Sequence, residues 1–156
     1  MLITPTKTPK RLMRPEDICV LNMSGEPLYL PEGKKPTGET FMHLHVLSKR
    51  PDINAVMPLS TTKAGKEALL LPLIPEAMMQ LGPVITIPYA NPNMEELGYA
   101  FDPVVNDSNG FMLESHGALV CSPKGVLYAI ESLQVMESLA ESIIVGRIMS
   151  KKLKCL

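Results

Sequence analysis

Glu114-Ser115-His116-Gly117-Ala118-Leu119-Val120 reads as a tight His-Gly turn running straight into an apolar strand. Glycine lets the backbone turn sharply there, and a histidine on such a turn is free to point away from the strand. Upstream, Gly110-Phe111-Met112-Leu113 is a second apolar run, so two short strands bracket the turn. Read alone, a His-Gly turn favours a structural histidine over a ligand or an acid–base group.

Downstream of the turn comes a long helical pattern. Val126, Ala129, Ile130, Leu133, Met136, Leu139, Ala140, Ile143, Ile144 and Ile148 recur at helical spacing. Ser122 is expected to cap this helix, Pro123 to occupy its first turn, and Lys151-Lys152-Leu153-Lys154 to suit its C-terminus. Upstream, Val84 to Pro88 and Ile53 to Met57 read as strands, Pro75 to Gly82 and Asn93 to Gly98 as short helices. Asp17 to Met23 and Leu28 to Leu30 form the arms of a hairpin around Ser24-Gly25-Glu26-Pro27. Thr37 is expected to cap a helix that Arg50-Pro51-Asp52 ends, because the residue before a proline avoids the helical region. Thr61 to Leu71 gives no clear pattern. Strands and helices interleave, so the class is α/β with a mixed or antiparallel sheet.

The 156 residues suit one domain with a sizeable core, and 46% hydrophobic with 20% charged residues is a globular composition. A net charge of -1 gives no reason to expect nucleic-acid or membrane-surface binding. Lys7, Lys10, Arg11 and Arg14 form a local basic cluster that reads as a solvated loop ahead of a phosphate patch. Cys19, Cys121 and Cys155 are odd in number and lack a Cys-x-x-Cys spacing, which speaks against a disulfide framework or zinc ribbon and fits a reducing cytoplasm; Cys19 and Cys121, in apolar runs, read as packing residues. The N-terminus does not read as a signal peptide, and no apolar run reaches membrane-spanning length.

Chemistry rests on few residues. Of the three histidines, His43 and His45 flank Leu44. On a helix, positions two apart point about 200° from each other and cannot easily share an ion. On a strand they would share a face, and the alternation with Leu44 and Val46 keeps that alternative open; the Thr37 cap and the proline stop favour the helix. Glu39, two residues after Thr37, reads on its own as a first-turn carboxylate that complements the helix dipole.

Lys35-Pro36-Thr37-Gly38-Glu39, Arg50-Pro51-Asp52-Ile53-Asn54-Ala55-Val56 and Glu114 to Val120, with Leu2 to Thr6 and Pro75 to Gly82 in order between and around them, resemble the class II (zinc-dependent) aldolase/adducin family. The resemblance runs from about Leu2 to Ile148 and covers only the later part of the family's domain. It implies an α/β class II aldolase/adducin-like domain, a central largely antiparallel sheet flanked by helices, as a single, truncated unit over residues 1–156. It also implies a zinc-dependent sugar-phosphate aldolase, an aldehyde-lyase that works through an enediolate, acting on a small sugar phosphate as a homo-oligomer (a tetramer in the family). Carried over by position, Glu39 is the catalytic acid/base, Thr37 and Gly38 bind the substrate phosphate, and His116 is one of three zinc-binding histidines. The other two fall at Pro58 and Ser60, which offer no imidazole. Two readings follow, an enzyme of this type or a non-catalytic adducin-type interaction module lacking metal.

Overall fold

The computed structural model describes residues 1–59 and 73–149. Ser60, the Thr61 to Leu71 stretch and the basic segment Lys151 to Lys154 lie outside the described residues. Four strands make the main sheet: β4 (Ala55–Leu59), β5 (Ile85–Ile87), β6 (Gly110–Leu113) and β7 (Gly117–Ser122), in the order β4-β7-β6-β5. β4 with β7 and β7 with β6 run antiparallel, and only β5 with β6 runs parallel, so the sheet is largely antiparallel as expected.

Side chains on β6 and β7 alternate between two cores, as strand geometry requires. Met112, Ala118 and Val120 pack with α2 (Pro75–Leu81) and α4 (Val126–Ile148), through Ala77, Leu81, Leu133, Met136, Leu139, Ala140 and Ile143. Phe111, Leu113, Leu119 and Cys121 face the other way, against Met42 and Val46 of α1 (Thr40–Lys49) and Leu97 of α3 (Glu95–Tyr99). Helices thus cover both faces, which is why these strands read as unbroken apolar runs instead of alternating ones.

A small antiparallel sheet, β1 (Leu2–Ile3), β2 (Cys19–Leu21) and β3 (Pro27–Tyr29), is built on the expected hairpin. Its turn is organised by Asn22, whose side-chain oxygen accepts the backbone N–H groups of Ser24 and Glu26 at 3.0 and 2.9 Å. Cys19 and Cys121 are free, buried thiols, as a packing role predicts. Burial pushes the Cys121 thiol up to about 12.

Two helix starts differ from the sequence expectation. α4 begins at Val126 behind Gly125, whose φ of +88° lets the chain leave β7 and enter the helix. Ser122 remains in β7, and its hydroxyl accepts the Lys124 N–H at 3.2 Å instead of capping the helix. α1 begins at Thr40 with Glu39 at the cap position, because Thr37 is held in an extended pairing by its N–H to the Thr4 carbonyl at 3.0 Å. The Thr37 carbonyl instead closes a turn, accepting the Thr40 N–H and hydroxyl at 3.2 and 2.6 Å. On α4 the apolar stripe is wider than the face that packs on the described core, and Val126, Ile130 and Ile148 are 56%, 40% and 76% exposed.

Arg50, just past α1, is the main polar tie. It is 7% exposed, and its guanidinium donates to both Asp52 carboxylate oxygens (2.8 and 2.7 Å), the Val105 and Ser108 carbonyls (2.8 and 2.9 Å) and Asn109 Oδ1 (2.8 Å). The guanidinium beside Asp52 also holds that carboxyl below its usual range. Arg50→Ala strips the donor from three acceptors on the far segment, so it should cost about 3 kcal/mol or more in urea unfolding. A loss below about 1 kcal/mol would be that of an exposed pair and would show that the guanidinium is not the tie.

Candidate active site

Glu39 and His116 meet. Glu39 stands at the start of α1, and His116 sits on the turn between β6 and β7, with His116 Nε2 at 3.9 Å from Glu39 Oε1. The turn is tight: the His116 N–H reaches the Leu113 carbonyl at 3.1 Å, and Ser115 adopts a φ of +59°. Strained non-glycine backbone of this kind persists where surrounding structure over-determines it, and it clusters at functional sites. Glu114 N–H donates to the Ile87 carbonyl at 3.0 Å, so the turn is anchored on β5 as well.

The side chains of His116 and Glu39 are 29% and 15% exposed. His116 Nδ1 and Glu39 Oε2 are buried, yet neither has a hydrogen-bond partner among the described residues. Buried polar atoms are nearly always paired, so two orphans on facing side chains mark a place prepared for a further group. Asn93 closes the site from the third side. Its N–H donates to Glu39 Oε1 at 3.1 Å.

Thr37 and Gly38 precede Glu39 directly. Thr37 Oγ1 accepts the Glu39 N–H at 3.4 Å, a long contact, and Gly38 is exposed. The structure therefore brings Thr37, Gly38, Glu39 and His116 to one end of the main sheet. The sequence reading missed Asn93, although Asn91-Pro92-Asn93 is a turn signal in which asparagine tolerates positive φ.

His43 and His45 do not join this site. α1 places them on different sides, as the helical reading expects. His45 Nε2 lies 2.8 Å from Asp102 Oδ1, and its ring stacks on Phe41 and meets Tyr99 edge-on at centroid distances of 5.5 and 5.1 Å. His43 is pushed down to about 4, first by burial and then by the charge of Lys10.

Among the described residues the donor set does not fit the zinc that the resemblance implies. A catalytic zinc typically keeps three protein ligands. Here one imidazole and one carboxylate face each other, the other two histidines of the chain are on α1, and Pro58 carries no ligand atom. Among the described residues no group of three His, Cys, Asp or Glu side chains converges for a metal.

Helices cover both faces of this sheet, and a carboxylate and an imidazole meet at its end. The chain belongs to the class II aldolase and adducin N-terminal domain family, whose model matches residues 1–144. It is 28% identical over 145 residues to an L-fuculose phosphate aldolase of Haemophilus influenzae, covering 88% of this chain and 66% of the relative. It is 31% identical over 133 residues to a 5-deoxy-D-ribulose 1-phosphate aldolase of Bacillus thuringiensis, covering 82% of this chain and 61% of that relative. The chain thus spans about two thirds of the length of these relatives. An L-fuculose 1-phosphate aldolase structure superimposes with a TM-score of 0.86 at 24% identity, over 100% of this chain and 74% of the other, and establishes the shared fold. No helix among the described residues is long and apolar enough to cross a membrane.

His43 generates a pH prediction. The unfolded imidazole takes its proton near 6.5 and the folded one only near about 4. The unfolded chain therefore binds more protons in that window, and stability falls as pH drops through it. Relative to His43→Gln, the wild type should lose on the order of 2–3 kcal/mol between pH 7 and pH 4. Parallel pH dependence of the two proteins in urea unfolding would show that His43 is not the group responsible.

Proposed function

We propose that this chain is a sugar-phosphate aldolase-type protein that binds a small ketose phosphate beside Glu39 and His116 and moves a proton through Glu39. The observation that carries this reading is a pair of buried atoms, Glu39 Oε2 and His116 Nδ1, that have no hydrogen-bond partner among the described residues and sit on side chains 3.9 Å apart. The names of the relatives, both aldolases of sugar phosphates, supply the substrate class.

In the cleavage direction, Glu39 takes the proton of the substrate hydroxyl and the adjoining carbon–carbon bond breaks to release an aldehyde. The bonding pair moves onto the ketone oxygen as an enediolate, and Glu39 returns the proton to carbon. An imidazole N–H of His116 is suited to meet the oxygen on which charge develops. The phosphate is assigned to Thr37 and Gly38, through hydroxyl and backbone amide donors ahead of α1. Because the described residues do not make a three-ligand zinc site, no step is routed through a metal. Self-association, implied by the family, is supported by the apolar surface of α4, where Leu127 and Ile148 are 78% and 76% exposed. A cytoplasmic setting is consistent with the free thiols of Cys19 and Cys121.

The second reading, a non-catalytic adducin-type module, is favoured by Pro58, which places a residue without ligand atoms at a position the resemblance assigns to histidine.

Aldehyde release from L-fuculose 1-phosphate and from 5-deoxyribulose 1-phosphate, with and without added zinc, tests the proposal. Wild type should release aldehyde, and Glu39→Gln should lower the rate by roughly 10²–10⁴-fold, the usual contribution of an acid–base group. A zinc-dependent rate with near-stoichiometric zinc lost in His116→Ala would show that further ligands rebuild the metal site. Folded wild type that neither binds nor cleaves either sugar phosphate overturns the proposal in favour of the interaction module.

A further inference from the structure

We infer that Asn93 is a positioning residue for Glu39: through its backbone N–H and its seat over Gly38, it fixes which carboxylate oxygen is turned toward substrate. The inference rests on the proton-transfer role proposed for Glu39.

The Asn93 N–H donates to Glu39 Oε1 at 3.1 Å, across 54 positions of sequence. That oxygen is thereby engaged, while Oε2 of the same carboxylate is buried and without a partner among the described residues. A carboxylate held by one oxygen presents the other in a fixed direction, which is what an acid–base group at a reacting carbon requires. The N–H points this way because Asn93 adopts a φ of +63°, a region that asparagine enters more readily than most residues.

A second contact holds Asn93 in that conformation. A Cβ placed on Gly38 would lie 1.9 Å from Asn93 Oδ1, 2.6 Å from its Cγ and 3.1 Å from its Cβ. The asparagine side chain therefore fills the space that the missing Cβ of Gly38 leaves. Gly38 itself is not among the glycines with positive φ, so space and not backbone conformation demands glycine there. Gly38 is the neighbour of Glu39 in the chain. One residue on the approach to α3 thus grips both the carboxylate and the residue before it.

This arrangement explains the role without making Asn93 a catalytic residue. Its side chain packs on Gly38, its amide holds Glu39, and the hydrogen bond comes from the backbone. A side chain at position 38 would push Asn93 away and withdraw the amide from Oε1.

The test compares wild type, Gly38→Ala and the double variant Gly38→Ala/Asn93→Gly in the full chain. Three readouts are needed: urea stability, the amide ¹⁵N–¹H resonance of residue 93, and kcat and KM for aldehyde release. In Gly38→Ala the residue 93 amide should leave its hydrogen-bonded position and kcat should fall roughly ten- to hundredfold, the size of losing one hydrogen bond to a charged group. KM should change little. Glycine at 93 removes all three clashing atoms and accepts the same φ, so the double variant should recover both the amide resonance and most of kcat.

An unchanged residue 93 amide in Gly38→Ala overturns the inference. So does a double variant that recovers stability without recovering kcat, or a loss carried by KM, which would assign Gly38 to phosphate binding alone. If wild type cleaves no sugar phosphate, the functional reading fails separately. The hydrogen bond itself is then still decided by Glu39→Gln, which must shift the residue 93 amide if the contact exists and leave it in place if it does not.

Discussion

The buried guanidinium of Arg50 is the constraint on which the arrangement of this domain depends. Its donors run to Asp52, Val105, Ser108 and Asn109, so the end of α1, the turn ahead of β4 and the loop ahead of β6 are joined at one point. A charge this buried is tolerated only when its hydrogen-bonding capacity is met, and here every contact is between 2.7 and 2.9 Å. Displacing α1 would cost the guanidinium these hydrogen bonds while it stays buried. The polar tie therefore sets the register of a helix whose hydrophobic face, Met42 and Val46, specifies only which side it buries.

That register matters because Glu39 stands at the opposite end of the same helix. His116 reaches it from the β6–β7 turn, and those two strands are fixed by their pairing and by apolar cores on both faces. A separation of 3.9 Å between two side chains 77 positions apart is thus the product of two independent anchors, Arg50 for the helix and the sheet for the turn. Close-packed interiors transmit displacement, so errors in either anchor would appear at the pair. Asn93 adds a local correction where the long-range anchors leave the carboxylate free to rotate.

Much of this was legible in the residues. Apolar runs at Phe111–Leu113 and Ala118–Cys121, the helical stripe from Ala129 to Ile143, and Pro75 and Gly82 at the two ends of α2 appear where local chemistry places them. Thr37 and Ser122 misled because each sits near a helix start while its backbone is held in an extended pairing, Thr37 to Thr4 and Ser122 within β7. Arg50 read only as the end of a helix, since nothing in Arg-Pro-Asp reveals acceptors more than fifty residues away. Glu39 and His116 could be named from motifs, but their meeting is a tertiary fact. The long-range contacts of Asn93 and Asp102 carry no local signature for the same reason.

Pro58 shows why fold and chemistry can part company in this family. It lies in β4, at the edge of the described sheet, paired with Leu119 on its inner side. A proline in a central strand would remove a ladder hydrogen bond, whereas an edge strand has a free side on which the missing N–H does little harm. With proline at this position, β4 keeps its register with β7 from Ala55 to Leu59. The two apolar cores and the Glu39–His116 pair do not involve residue 58. Family membership is consequently secure on the fold, while activity has to be judged on the side chains that remain at the site. What remains is a carboxylate held by one oxygen, an imidazole facing it, and two buried atoms that neither satisfies for the other.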